Sequence, residues 1–192
     1  MHISSKSRLL PTTLVIAAVV VAGLLVGARA LQGATASKIV WEGENYTKIE
    51  APFTTASKLN GASGNKYLHL PMPNAEAGPT TAKTTYKVRV PVAGKYTLWV
   101  RRYWRTGCGD SFSVSMDGGA AAIVGDEGDY DHWAWTQIKG KVYNLTADAH
   151  VVTVGQNAKD WGTSADQLVL LPYPTRYVPA TILAATPDAI IK

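Results

Sequence analysis

Three places in the sequence gather side chains able to do chemistry. Asp126-Glu127-Gly128-Asp129-Tyr130-Asp131-His132 sets four acids within six residues. Such a density suits either a second cation site or a hydrated acidic loop that attracts a basic partner and repels an uncompensated acidic sugar. The full spacing of an EF-hand is missing. Arg101-Arg102-Tyr103-Trp104-Arg105 alternates faces if extended, with Arg101, Tyr103 and Arg105 on one side and Arg102 and Trp104 on the other. It reads either as a basic, aromatic rim facing a partner or as a strand end with solvated arginines. The third group is the single cysteine, Cys108, between two glycines, with the four histidines His2, His69, His132 and His150. HExxH, GxSxG, P-loop and GxGxxG motifs are all missing, and nothing in the spacing sets a base beside a nucleophile. One cysteine also excludes an intrachain disulfide. The chain therefore reads as non-catalytic.

The elements that must hold these groups are strands. With 46% apolar and 17% charged residues, the 192-residue chain is too hydrophobic for disorder. Seventeen Gly, ten Pro, six Trp and nine Tyr against two Phe favour turns joined by aromatic strands. Period-2 alternation predicts nine strands: 39–44, 66–70, 84–90, 95–103, 111–116, 120–124, 134–142, 150–157 and 167–171. Turn signals such as Asn60-Gly61 and Asp117-Gly118-Gly119 separate them. This is the pattern of a β-sandwich.

The net charge of +5 would ordinarily suggest nucleic acid. Its position argues otherwise, because Lys6, Arg8 and Arg29 flank one apolar run and leave 16 basic against 14 acidic residues from position 37 onward. No nucleic-acid partner is expected. The uncharged run 9–28 has about the twenty residues that a membrane helix needs. Lys6 and Arg8 before it would keep residues 1–8 in the cytoplasm and send the rest across an inner membrane into the periplasm. A cleaved signal peptide is the rival, since Ala28-Arg29-Ala30 and Ala34-Thr35-Ala36 both have a small-x-small form. The expectation is a single-pass anchor at 9–28, a linker at 29–37, a sandwich at 38–172 and a tail at 173–192.

The ordered series Trp41-Glu42-Gly43-Glu44-Asn45, VRVPVAGKYTLWVRRY (88–103), DSFSVSMDGG (110–119), Trp133-Ala134-Trp135, LTADAH (145–150) and ADQLVLL (165–171) resembles carbohydrate-binding module families 6 and 35. The resemblance implies an all-β fold, a galactose-binding-type jelly-roll β-sandwich, here preceded by one N-terminal transmembrane α-helix. It also implies one structural calcium ion on Glu42, Glu44 and Asp166. Glutamates two apart on a strand point the same way and hard oxygens suit calcium, though solvent-facing charge is the plain alternative. For sugar, the matching positions are Trp133, Trp135, Asn157 and Trp161, with Tyr103 and Trp104 as further aromatics; core filling is the alternative for the tryptophans. The segment Asp160-Trp161-Gly162-Thr163-Ser164 lacks the Asn that precedes the last-strand Asp in the family's glycan binders.

The tail carries prolines at 172, 174, 179 and 187 among many apolar residues, so it either wraps its own sandwich or docks on a neighbour. Anchor and tail together favour an accessory, structural subunit that stabilises a larger membrane complex, respiratory or photosynthetic, through its helix, sandwich and tail. In that reading Arg101, Arg102, Arg105, Asp126, Glu127, Asp129 and Asp131 face the partner. The alternative is a tethered or secreted module that binds a cell-surface or environmental glycan.

Overall fold

A computed structural model describes residues 35–73, 79–158, 160–175, 178 and 181–192. The expected membrane span at 9–28 lies outside them, and among the described residues no helix is long and apolar enough to cross a membrane. Twelve strands follow in order: β1 (Ile39–Glu42), β2 (Lys48–Ile49), β3 (Thr54–Ala56), β4 (Tyr67–Leu70), β5 (Lys83–Arg89), β6 (Gly94–Tyr103), β7 (Ser111–Met116), β8 (Ala122–Gly125), β9 (Trp133–Gln137), β10 (Tyr143–Leu145), β11 (Ala149–Gln156) and β12 (Thr163–Pro172). One short 3-10 turn, Ser63–Asn65, precedes β4.

The strands form two antiparallel sheets. The seven-stranded sheet runs β10-β6-β12-β4-β3, with β1 also paired to β12 and β9 to β6; the five-stranded sheet runs β2-β5-β11-β7-β8. All nine expected strands are present, and the differences have local causes. The expected strand 134–142 ends early, at Gln137, because the chain turns at Ile138 to Lys141 with Gly140 at φ +69°, and β10 starts beyond it at Tyr143. β2 and β3 have only two and three residues, too short to show alternation. β12 begins four residues early, at Thr163, with a register shift between Ala165 and Gln167.

Alternation decides which side chains lie between the sheets. Trp41, Leu68, Leu70, Tyr86, Tyr96, Leu98, Val100, Trp104, Phe112, Val114, Leu168 and Leu170 share one core cluster. The opposite, outer face of the large sheet presents Val40 and Glu42, Tyr67 and His69, Trp99, Arg101 and Tyr103, Trp133 and Trp135. Part of that face is covered by the chain's own C-terminal segment, the self-wrapping arrangement of the two expected for the tail. Val178 and Leu183 pack on Val40, Val169 and Leu171, flanked by Trp99 and Trp135. The Leu183 N–H and carbonyl both bond the Gln167 amide (3.2 and 2.7 Å), Thr186 N–H donates to the Val40 carbonyl (2.9 Å), and Ile190 bridges to Val88. Burying these apolar side chains on the sheet is worth about 1.5–3 kcal/mol each.

An ion pair between buried His150 and exposed Asp117 ties the turn after β7 to β11. His150 Nδ1 lies 2.7 Å from Asp117 Oδ2 and its Nε2 3.1 Å from the Thr146 carbonyl. Both ring nitrogens face acceptors, which suits the imidazolium. Burial opposes the charge, but Asp117 and the Thr146 carbonyl outweigh it and hold the ring above its ordinary value. Its stabilising contribution is then fully present below the unfolded value of about 6.5 and is lost as pH rises through the higher folded value. The stability difference between the natural protein and His150→Gln, followed by urea unfolding, should shrink over that interval. A difference that grows with pH would contradict the pairing.

Candidate functional site

The upper half of the outer face is built by β4, β6, β9 and β12. Tyr67 and His69 are two apart on β4 and point the same way. Tyr103 and Trp133 are register partners on β6 and β9. The four rings form one edge-to-face series, with centroids 6.0 Å apart for Tyr67 and His69, 5.5 Å for Tyr67 and Trp133, and 5.4 Å for Tyr103 and Trp133. Trp133 is fixed by its indole N–H donating to the Asn60 carbonyl (3.0 Å).

Beside this series opens a cavity of about 500 Å³, lined by Thr55, Ala56, Ser57, Lys58, Leu59, Tyr67, His69, Pro71, Arg105 and Ser164. Its size falls in the range of small-ligand sites. His69 Nδ1 sits 3.0 Å from both the Thr163 carbonyl and Ser164 Oγ. A carbonyl only accepts, so Nδ1 carries the proton and Nε2 of the neutral ring is an acceptor. Burial, reinforced by the Arg105 guanidinium against the pull of the Thr163 carbonyl, holds His69 below its ordinary value and keeps it neutral. Of these lining residues only Arg105 is among the contacts expected from sequence; His69 enters there only as one of four histidines and Ser164 only as part of the segment before β12's Asp166. The alternation Tyr67-x-His69 was the available signal.

The expected calcium residues are neighbours at the border of the covered half, though one oxygen of each does not come within 4.8 Å of the other two. Gly43 allows this: a Cβ there would lie 2.2 Å from the Ala165 carbonyl oxygen, so only glycine lets the chain after β1 press onto β12. Glu42 Oε1 accepts from Ser63 Oγ (3.1 Å) and Gln167 Nε2 (3.0 Å), while Oε2 of Glu42 and Oε2 of Glu44 are buried without a partner. Asp166 is fully buried; Oδ1 accepts from the Ser63 N–H (2.7 Å) and Oδ2 from Arg101 Nη1. Burial raises all three carboxyls, and their mutual repulsion adds to it for Glu42 and Glu44. Three carboxylates against the Arg101 guanidinium and the Lys66 ammonium leave net negative charge around two orphaned hard oxygens. That donor set fits a calcium ion on Glu42 and Glu44, with Asp166 already engaged by Arg101 and Ser63.

The charged rim is corrected. Alternation along β6 is as expected, but Arg101 is 7% exposed and Arg102 2%. Arg101 Nη1 also donates to the Gly61 carbonyl (3.2 Å), and its guanidinium carbon lies 5.4 Å from the Trp133 ring centroid. Arg102 bonds Thr136 Oγ1 (3.0 Å), Asp129 Oδ2 (2.8 Å) and the Asp129 carbonyl (3.0 Å), and lies 3.4 Å from Glu127. The acidic loop therefore neutralises an arginine of its own chain. Asp129 is held below its ordinary value by that bond. Asp131 takes the Tyr103 hydroxyl at 3.5 Å, and its N–H donates to the Trp104 carbonyl (2.8 Å).

Trp104 is not a contact residue either: it is completely buried, tilted on Phe112 at 5.2 Å, with its indole N–H on Glu127 Oε2 (3.0 Å). Trp135 packs under the C-terminal segment rather than in the cavity. Asn157 and Trp161 lie at the loop end of the sandwich, where Asn157 Nδ2 donates to Ser111 Oγ (2.8 Å) and Trp161 packs on the core. There Asp126 joins Asp110 and Asp160, one oxygen of each within 4.8 Å of the others, the only such group among the described residues. Tyr130 donates to Asp110 (3.2 Å) and Ser111 to Asp160. Burial, with the two neighbouring carboxylates, raises Asp110. The sequence reading thus scattered its aromatic contacts over three regions, and only Tyr103 and Trp133 belong to the ring series beside the cavity.

No protein-family profile matches the chain, and no curated protein matches it. Solved structures do. A family 35 carbohydrate-binding module from Clostridium thermocellum superposes with TM-score 0.55 at 19% identity, over 70% of this chain and 98% of that one. A GH26-CBM35 β-(1,4)-mannanase from Podospora anserina gives TM-score 0.55 at 19% identity over 74% of this chain and 29% of its own. An exo-β-1,3-galactanase from Phanerochaete chrysosporium gives 0.52 at 18% over 71% and 30%. The chain spans less than a third of the two enzymes and nearly all of the isolated module. The fold is a jelly roll like that of carbohydrate-binding modules.

Proposed function

We propose that this protein is a non-catalytic glycan-binding module whose sugar site is the outer-face cavity beside Trp133. The cavity carries the reading: about 500 Å³ lined by the rings of Tyr67 and His69 together with hydroxyl and cationic groups. The half-buried His69 ring, backed by buried Tyr67, suits the C–H face of a pyranose, while Thr55 and the His69 acceptor suit its hydroxyls. The likeness to modules named for carbohydrate binding supports the same reading. A docking subunit has less support, because Arg101, Arg102, Glu127 and Asp129 pair within the chain and the described tail packs on its own sheet. A glycan array probed with the full chain tests the proposal. Binding to a defined set of glycans is expected, and a blank array would overturn it.

Calcium is the second part of the proposal. An ion on Glu42 and Glu44 would satisfy the two orphaned oxygens and oppose the repulsion that raises both carboxyls. Saturation at a hundred times the dissociation constant would add about 2.7 kcal/mol of stability. Chelator should lower the unfolding temperature of the natural protein and calcium should restore it, while Glu44→Gln should respond to neither. An unfolding temperature indifferent to chelator would contradict the site. The same reading places the module outside the cytoplasm, tethered by the apolar run 9–28, on the strength of its flanking charges alone.

A further inference from the structure

We infer that the end of the sandwich where the chain emerges from the linker 29–37 rests on an anionic lipid surface, held by basic side chains around exposed Val142 and Tyr173. This surface is separate from the sugar cavity and shares with the proposed function only the tether at 9–28. Strand registers define the end. Ile39 pairs with Leu170, Tyr96 with both Pro172 and Tyr143, and Arg89 with Ala149. The turn 90–93 joins β5 directly to β6. The starts of β1, β6 and β11 therefore gather with β10 and with the ends of β5 and β12.

Charge separates the two ends. Lys38, Arg89 and Lys95 are exposed at this one, with exposed Lys139 and Lys141 in the turn leading into β10. Among the described residues none of the five is in a salt bridge. Against them stand Asp148, Asp188 and Asp117, the last bonded to His150. The one acid outside the described residues, Glu76, belongs to the connection between Leu70 and Lys83, which both lie at the opposite end, beside Thr163 and Gly155. That opposite end gathers Asp110, Asp126, Glu127, Asp129, Asp131 and Asp160, of which Arg102 engages two. An anionic surface attracts the first end and repels the second. Each basic side chain close to such a surface strengthens association about fivefold.

Apolar exposure falls at the same end. Val142 is 43% exposed and Tyr173 47%, on the strands that flank β6, and the Tyr173 N–H donates to the Lys95 carbonyl (2.8 Å). A ring with a polar tip among lysines suits the headgroup layer. The nine-residue linker 29–37 spans at most about 30 Å, so a tether at 9–28 keeps this end near the bilayer.

The test places the full chain in vesicles of phosphatidylcholine alone or of equal parts phosphatidylcholine and phosphatidylglycerol, and reads quenching of a fluorophore by spin-labelled lipid. One sample is labelled at the natural Cys108, exposed at the acidic end. The others are labelled at Val142→Cys or, independently, Tyr173→Cys, each with Cys108→Ser. Anionic vesicles should quench positions 142 and 173 severalfold more than neutral ones and leave Cys108 unquenched. The difference should fall as salt rises from about 0.1 to about 1 M, where the screening length shortens from about 10 to about 3 Å. Lys95→Gln with Lys141→Gln should shrink it at an unchanged unfolding temperature, since both side chains are exposed. Quenching that is equal in the two lipids, stronger at Cys108, or unchanged in the double variant would overturn the contact and leave the tether standing. A chain that floats with neither vesicle would overturn contact and tether together and leave the sugar site untouched.

Discussion

Arg101→Met is expected to destabilise the sandwich by about 3–5 kcal/mol, the cost of stripping a buried carboxylate of its partner. Asp166 is fully buried on the central strand of the large sheet, and its remaining donor would be the Ser63 N–H. Methionine keeps most of the arginine's apolar stem, so the loss isolates charge rather than volume. The unfolding temperature should fall on the order of 10 °C for a chain of this size. Adding Asp166→Asn to the variant removes the orphaned charge and should recover a large part of the loss. The loss should be greatest in chelator, because a cation on Glu42 and Glu44 shares the same negative cluster. Denaturant unfolding followed by tryptophan fluorescence measures each step. A change below about 1 kcal/mol would mean that the pair is not the counter-charge of Asp166.

The second large effect concerns binding. Ser57 lines the cavity and is exposed, so Ser57→Trp places an indole in the sugar's volume without entering the core. Blocking should cost at least about 1.4 kcal/mol of affinity, a tenfold loss, at unchanged stability. The choice of Ser57 matters, because Tyr67 is 2% exposed and removing it would confound binding with packing.

Much of the fold was legible because alternation and turn chemistry agree along most of the chain. Ser111–Met116 has the boundaries that its period predicts, and β5, β6 and β11 differ by a residue or so at their ends. The site was harder to read for a physical reason. Arg101 and Arg102 carry the composition of an exposed rim, yet the strand lies in the middle of a sheet, so burial forced each to find a carboxylate distant in sequence. Pairings across 65 and 27 residues leave no local pattern. Trp104 is buried for a related reason: its side of β6 faces the second sheet. The cavity joins Lys58 after β3, Tyr67 and His69 on β4, Arg105 beyond β6 and Ser164 on β12. Only the topology brings them together, and β3 was too short to be seen.

The central claim is that sugar enters the outer-face cavity. Its most direct test is isothermal titration of the best-bound array glycan into the natural protein, Ser57→Trp and Met72→Ala, the last an exposed residue 3.2 Å from the Cβ position of Gly162 and outside the cavity lining. A loss of at least tenfold for Ser57→Trp, with Met72→Ala binding like the natural protein and all three unfolding at one temperature, is the predicted result. Undiminished affinity in Ser57→Trp would contradict the account.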